Sequence, residues 1–168
     1  PFADESFDFV HQRCVADQLL TPTWPMVARE LARVTRPGGW IELVELRQHA
    51  SNPGPATTRY LHWWAQWSAR TGIYTSVGER LGELLQETGF GQVARRHIIA
   101  PVGSWGKLAG IFLITDLIEC MTSMQQPFCT TLHLSPALFH ETLEAFAAEW
   151  EAHHTAFHFS LVYGQKEG

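Results

Sequence analysis

Positive charge is scarce in this 168-residue chain, with 12 Lys and Arg against 17 Asp and Glu and a formal net charge of -5. The basic residues do not gather beyond short pairs such as Arg95-Arg96. A nucleic-acid groove needs a dense basic stripe, so that class of partner is set aside. No acidic tail is present either. Cysteine is also sparse: Cys14, Cys120 and Cys129 lie far apart without paired spacing. That argues against a disulfide framework or a zinc knuckle and reads as reduced thiols in a cytoplasmic protein. No signal peptide is read at the start. The most apolar stretch, Leu108 to Met121, is broken by Asp116 and Glu119 and is too short to span a bilayer. It reads as a buried or lid helix, with no membrane partner.

What the chain does have is apolar bulk. Hydrophobic residues make up 45% and charged residues 17%, with seven Trp and ten Phe, which is the composition of a globular domain with a real core. Such aromatics fill a core or line a pocket for a flat organic ligand. The chain opens Pro1-Phe2-Ala3-Asp4, without Met, and enters a strand almost at once. That opening reads as a cut through a larger domain.

The elements follow from periodicity. Phe7 to Val10 predicts a strand. Trp24, Val27, Leu31 and Val34 repeat at helical spacing over Trp24 to Thr35, with Thr23 as its cap and Pro37-Gly38-Gly39 as its stop. Trp40 to Leu46 is a second strand, apolar enough to be covered on both faces. Thr57 to Arg70 is a helix with Tyr60, Trp64 and Trp67 along one face. Ser76-Val77-Gly78-Glu79 has a capping-box pattern ahead of a helix that Gly89 ends. Gln92 to Val102 is a third strand and Trp105 to Met124 a long apolar helix. Ser135-Pro136 opens a further helix carrying Phe139, Leu143, Phe146 and Trp150 on one face, and Ala156 to Tyr163 is the last strand. Strands alternating with helices predict an α/β layered fold.

Three stretches carry a family resemblance. Pro1-Phe2-Ala3-Asp4-Glu5-Ser6-Phe7-Asp8-Phe9-Val10-His11 resembles the LPF-x-D-x-SFD-x-V approach to the fourth strand of class I S-adenosylmethionine-dependent methyltransferases. Glu30 through Leu43, with Arg33-Val34-Thr35-Arg36-Pro37-Gly38-Gly39, is similar to their R-V-L-K-P-G-G turn and fifth strand. His154 to Lys166 resembles the closing strand of the branch that methylates small molecules, in which helices fill the gap before that strand. The Pro-Gly-Gly turn alone is moderately specific; the three stretches in order and spacing are strong. The resemblance covers nearly the whole chain and implies a single partial domain over 1–168. That domain would be the C-terminal half of a Rossmann-like mixed sheet whose last strand is antiparallel, with helical insertions over 47–75 and 104–152 on the substrate side. The family's glycine-rich cofactor loop is not found: Gly72, Gly78 and Gly82 sit in or beside a helix with other periodicity.

The resemblance also implies roles. His11, Gln12 and Arg13 follow the first strand, where open α/β sheets bind ligands, and would run beside the methionine part of S-adenosylmethionine. Arg13 is suited to pairing with a carboxylate; a loop held by its own hydrogen bonds is the plainer reading. Glu45, at the carboxyl end of the second strand, would orient an acceptor or take a proton, or else end a strand in a salt bridge. Glu42 has a structural partner or faces solvent. Tyr60, Trp63, Trp64 and Trp105 would wall an acceptor pocket, against the commoner fate of core packing. His154 is a second candidate base. His153, His154 and His158 lack the acidic or Cys companions of a zinc site, so no metal is called.

Two functions follow. One is methyl transfer from S-adenosylmethionine to a small organic acceptor, with the isolated chain inactive and its cofactor binding weak. The other is a non-catalytic α/β assembly or binding module that forms a homodimer through an exposed sheet edge at Phe7 to Val10.

Overall fold

The computed structural model describes residues 2–73 and 77–168. Ser76, the cap expected ahead of the third helix, lies outside the described residues. The helices are α1 (Trp24–Val34), α2 (Pro55–Thr71), α3 (Leu81–Glu87), α4 (Lys107–Ser123), α5 (Gln125–Leu132), α6 (Pro136–Glu144) and α7 (Phe146–His153). The strands are β1 (Phe7–Arg13), β2 (Thr35–Ser51), β3 (Phe90–Pro101) and β4 (Ala156–Lys166), and they form one sheet in the order β1-β2-β4-β3.

β1 and β2 are parallel, with Val10 opposite Ile41 and Gln12 opposite Leu43. β4 runs against β2. At one end Thr155 Oγ1 donates to Asn52 O at 2.9 Å, and at the other Lys166 Nζ donates to Thr35 O at 2.7 Å. It also runs against β3, because Val102 N–H donates to Thr155 O and Glu167 N–H to Gly89 O. The sheet is therefore mixed with its last strand reversed, as the resemblance implied.

The Pro-Gly-Gly turn works differently from the expected stop. α1 ends at Val34, and β2 begins at once with Thr35 extended (φ -77°, ψ 129°). Between Phe7↔Thr35 and Phe9↔Trp40 the register advances two residues on β1 and five on β2, so Pro37-Gly38-Gly39 is a bulge inside the strand. At Gly39 a Cβ would stand 2.9 Å from Arg36 O and 3.0 Å from Asp8 O. Only glycine lets the bulge close against β1.

Two expectations about helices are corrected. Thr23 does not cap α1: it lies in a 3₁₀ turn (Thr21–Thr23) with helical φ -80° and ψ -26°, and its hydroxyl makes no cap bond. The single helix expected from Ser135 to Trp150 is two, α6 and α7, meeting at Ala145. The short helix α5 was not anticipated. Ser135 does cap α6, accepting from Leu138 N–H at 3.1 Å.

The chain divides into two compact units, one of residues 1–47, 72–98 and 159–168, the other of 48–71 and 99–158. In the first, α1 and α3 cover one face of the sheet. Trp24, Ala28 and Ala32 of α1 join Leu81, Leu84 and Leu85 of α3 against Ile41, Leu43 and Val162. The opposite face leaves Phe9 at 56% and Trp40 at 37% exposure. In the second, α2 lies among α5, α6 and α7 around an aromatic core. Tyr60 rings meet Trp64, Phe128, Phe139 and Phe146 within 6.2 Å between centroids. Glu149 of α7 accepts the N–H groups of Ala56 and Thr57 at 2.7 and 2.8 Å, so it caps the first turn of α2. No single helix among the described residues is long and apolar enough to cross a membrane; α4 and α5 together, bent by 42°, reach that length and composition.

Candidate functional site

β1 ends beside the middle of the longer parallel β2, with Arg13 opposite Val44, so two placements are corrected: His11, Gln12 and Arg13 are the last residues of β1 instead of following it, and Glu45 lies within β2, which continues to Ser51, instead of at its carboxyl end. β1 ends at Arg13, and Cys14 N–H donates to Val44 O at 2.8 Å while taking φ 51°. The backbone turns there into a 3₁₀ turn at Ala16–Gln18. Beneath that turn lies Glu45, 1% exposed. Its Oε1 accepts from Val15 N–H at 3.1 Å and its Oε2 from Ala16 N–H at 3.2 Å. One carboxylate thus satisfies two successive donors of the loop that follows β1 and fixes that loop to β2.

The cost of this burial appears in acidity. Burial raises the Glu45 pKa to about 7; the Val15 and Ala16 N–H groups and the Gln12 amide pull it down, and Asp17 pushes it up. Asp17 is itself raised, chiefly by burial. Gln12 sits half-buried beside Glu45; its enclosed Nε2 is close enough to act on that carboxyl but not in the geometry of a full hydrogen bond. His11 Nδ1 lies 3.1 Å from Glu42 Oε1 in an exposed pair, which gives Glu42 the structural partner expected for it. Arg13 is exposed at the strand's end.

The remaining candidates lie in the second unit. Tyr60, Trp63 and Trp64 are 1%, 6% and 8% exposed and build its core. Tyr60 donates to Met121 O at 3.2 Å, and Trp64 Nε1 is buried without a partner. Trp105 is half-exposed, donates to Val102 O at 2.8 Å, and stands 5.3 Å from the ring of His154. His154 itself is exposed at the left-handed end of α7 (φ 50°).

Residues 1–94 match a family described as "Methyltransferase domain". The chain belongs to that family.

Methyltransferase pytC of Aspergillus terreus is 28% identical to this methyltransferase chain over 107 residues, covering 60% of the chain and 32% of pytC. N-methyltransferase sirN of Leptosphaeria maculans is 33% identical over 102 residues, covering 58% of the chain and 36% of sirN. The matched stretch thus spans about a third of the length of these curated relatives. Two solved structures share the fold. A putative methyltransferase from an antibiotic biosynthesis pathway of Anabaena variabilis ATCC 29413 superposes with TM-score 0.56 at 15% identity, over 97% of this chain and 68% of that one. Haemonchus contortus phosphoethanolamine N-methyltransferase 2 superposes with TM-score 0.52 at 13% identity, over 100% of this chain and 35% of that one.

One pair in the methyltransferase domain escaped the sequence reading. Ser51 Oγ, at the last residue of β2, lies 2.7 Å from Nε2 of His158, which is 6% exposed on β4. His49 stands edge-on to that ring at 4.5 Å. The partners are separated by 107 positions, and no local signal connects them; only the antiparallel register of β4 on β2 does.

Proposed function

We propose that this chain contributes the later strands of an S-adenosylmethionine-dependent methyltransferase that acts on a small organic acceptor. The carrying observation is the Glu45 clamp on Val15 and Ala16, which holds a shaped loop at the carboxyl end of β1, the end of a parallel strand where ligands of open α/β sheets bind. Family membership and the sirN and pytC relatives support the reaction class.

The residues present fit one end of the cofactor. Gln12 holds a buried amide beside Glu45 that makes no full hydrogen bond of its own, and an arriving acceptor would share that donor with Glu45. Arg13 beside it is exposed and suited to a carboxylate. When bound, the cofactor supplies a methyl group on a sulfonium, a good leaving group. The chain's own residues then have to align the acceptor, exclude water and take up a proton where the acceptor releases one. Glu45 acts as a positioning residue, since both of its oxygens are engaged by backbone N–H groups. Tyr60, Trp63 and Trp64, expected to wall the acceptor pocket, are packed into the core of the second unit and take no part in the proposed site. The reading includes a cytoplasmic setting, consistent with three cysteines that form no disulfide.

The chain contains no glycine-rich loop, so cofactor binding by this chain alone is weak. Titrating S-adenosylhomocysteine into ¹⁵N-labelled protein tests the reading. Shifts should concentrate at His11 to Arg13 and vanish in Gln12→Ala; absence of shifts there at millimolar ligand defeats it.

A specific observation favours a second reading, a binding module that dimerises through its sheet edge. β1 lies at the edge of the sheet and Phe9 on it is 56% exposed. Light scattering distinguishes the two: a concentration-dependent dimer abolished by Val10→Pro supports this reading, and a monomer at high concentration removes it.

A further inference from the structure

A groove of about 340 Å³ lies on the helix-covered face of the first unit, lined among others by Arg47, Glu79, Arg95, His97 and Ser160. Neither the family resemblance nor the methyl-transfer reading uses it. Three neighbouring strands supply its floor. Arg47 continues the inward-facing series Ile41, Leu43, Glu45 on β2; Ser160 precedes Val162 on the same face of β4; Arg95 and His97 extend from Val93 on β3. Adjacent strands are about 4.8 Å apart, so β2 and β3, on either side of β4, stand about 10 Å apart. Two guanidinium groups rising from them can meet over the Ser160 hydroxyl.

Both arginines are held in place by one residue. Arg47 Nη2 donates to Glu79 Oε1 at 2.9 Å, and Arg95 Nη1 donates to the Glu79 backbone O at 3.2 Å. A guanidinium carries five N–H donors, so these tethers leave most of them for a ligand. Two glycines make room. A Cβ at Gly78 would sit 3.0 Å from Ser160 Oγ, and one at Gly82 would sit 2.2 Å from Arg95 Nε. The turn at Val77–Glu79 and α3 therefore lie close over the sheet, with Arg95 folded along them. Arg47, Arg95 and Arg96 line this groove against one carboxylate, Glu79, in a protein whose net charge is -5. Glu83, 3.9 Å from Arg95, is shared with Arg80.

We propose that this groove binds the phosphate group of a small phosphate monoester, with Arg47 and Arg95 as paired charge-assisted donors and Ser160 as the third. Arginine forks match a tetrahedral oxyanion bidentately, and the volume accommodates a phosphate with a short organic stub. The inference goes beyond methyl transfer and does not depend on it.

Inorganic phosphate and phenyl phosphate are the probes, titrated by NMR at constant ionic strength against chloride. Saturable binding in the millimolar range is expected, with shifts at Arg47, Arg95 and Ser160. Arg47→Gln and Arg95→Gln should each weaken it tenfold or more, and Ser160→Ala less. Arg29→Gln, on the exposed face of α1, serves as the control and should leave it unchanged. Circular dichroism confirms that each variant is folded; should one arginine variant unfold, the other carries the test. No saturable binding, or equal weakening by the Arg29 substitution, overturns the proposal. Phenylacetate binding as tightly as phenyl phosphate overturns the assignment to phosphate.

Discussion

Glu45 Oε2 accepts from Ala16 N–H at 3.2 Å, and through that bond the loop after β1 is fixed to the neighbouring strand. Glu45→Gln replaces one acceptor oxygen with a donor facing another donor. The expected loss is about 1–3 kcal/mol of unfolding free energy, the cost of leaving a buried polar group without its partner. Urea denaturation with unchanged m-value checks it.

The same residue sets a pH dependence. Its folded pKa is raised to about 7 from 4.5, so the native state holds the proton more tightly than the unfolded chain. Stability therefore falls as pH rises from about 4.5 to about 7 and levels above it; Asp17, also raised by burial, acts in the same direction. At 1.36 kcal/mol per pKa unit the Glu45 contribution is at most about 3 kcal/mol. Chemical denaturation from pH 4.5 to 8 should show this slope in the wild type and a shallower one in Glu45→Gln. Equal slopes would contradict it.

Two threonine and serine positions that look alike in sequence should behave differently. Ser135→Ala removes a formed cap bond to Leu138 N–H and should cost about 1 kcal/mol. Thr23→Ala removes none and should lie within about 0.5 kcal/mol of wild type. Thermal denaturation of both variants decides it.

Glu149 accepts two backbone N–H groups at the start of α2 and the Thr57 hydroxyl, whose oxygen accepts in turn from Trp150 Nε1 at 2.8 Å. Glu149→Ala strips the cap from the central helix of the second unit. About 2–3 kcal/mol should be lost, because charge-assisted bonds exceed neutral ones. Hydrogen exchange should quicken first at Ala56 and Thr57; unaltered protection there would refute the capping role.

Gly39→Ala places a Cβ about 3 Å from two carbonyl oxygens that cannot move without separating β1 from β2. Destabilisation of about 2 kcal/mol or more is expected from that overpacking, with exchange protection of Val10 and Gln12 reduced. A variant as stable as wild type would show that the bulge tolerates a side chain.

Much of the fold was legible locally. Phe7 to Val10 and Ala156 to Tyr163 show strand character, and Trp24, Val27, Leu31 and Val34 give the helical repeat of α1. Where the reading missed, a local cue had more than one physical outcome. Pro37-Gly38-Gly39 can end a helix or kink a strand, and pairing with β1 at Phe7 and Phe9 decided for the kink. The face shared by Phe139, Leu143, Phe146 and Trp150 fits one helix or two in near succession. α5 is short and buries Phe128 as its one fully enclosed side chain, too little periodicity to see in advance.

The site divides in the same way. That Glu45 follows an apolar run of strand could be read from the residues alone, but not that β2 continues past it to Ser51. That it clamps Val15 and Ala16 could not, because the loop's path depends on how β1 and β2 align. The aromatic residues of α2 were equally compatible with a pocket wall and a core, and packing against Phe128, Phe139 and Phe146 made Tyr60 and Trp64 core.

By itself, the order of residues determined the class of fold and the alternation of strands and helices, because those follow from periodicity and turn chemistry within a few residues; the family came from the likeness of three motif stretches to known methyltransferases. Tertiary structure alone brought Ser51 to His158, Arg47 to Glu79 and Glu45 to Ala16. Each of those contacts joins positions 29 to 107 residues apart, and their meeting is fixed by strand order and register, which no short window of sequence contains.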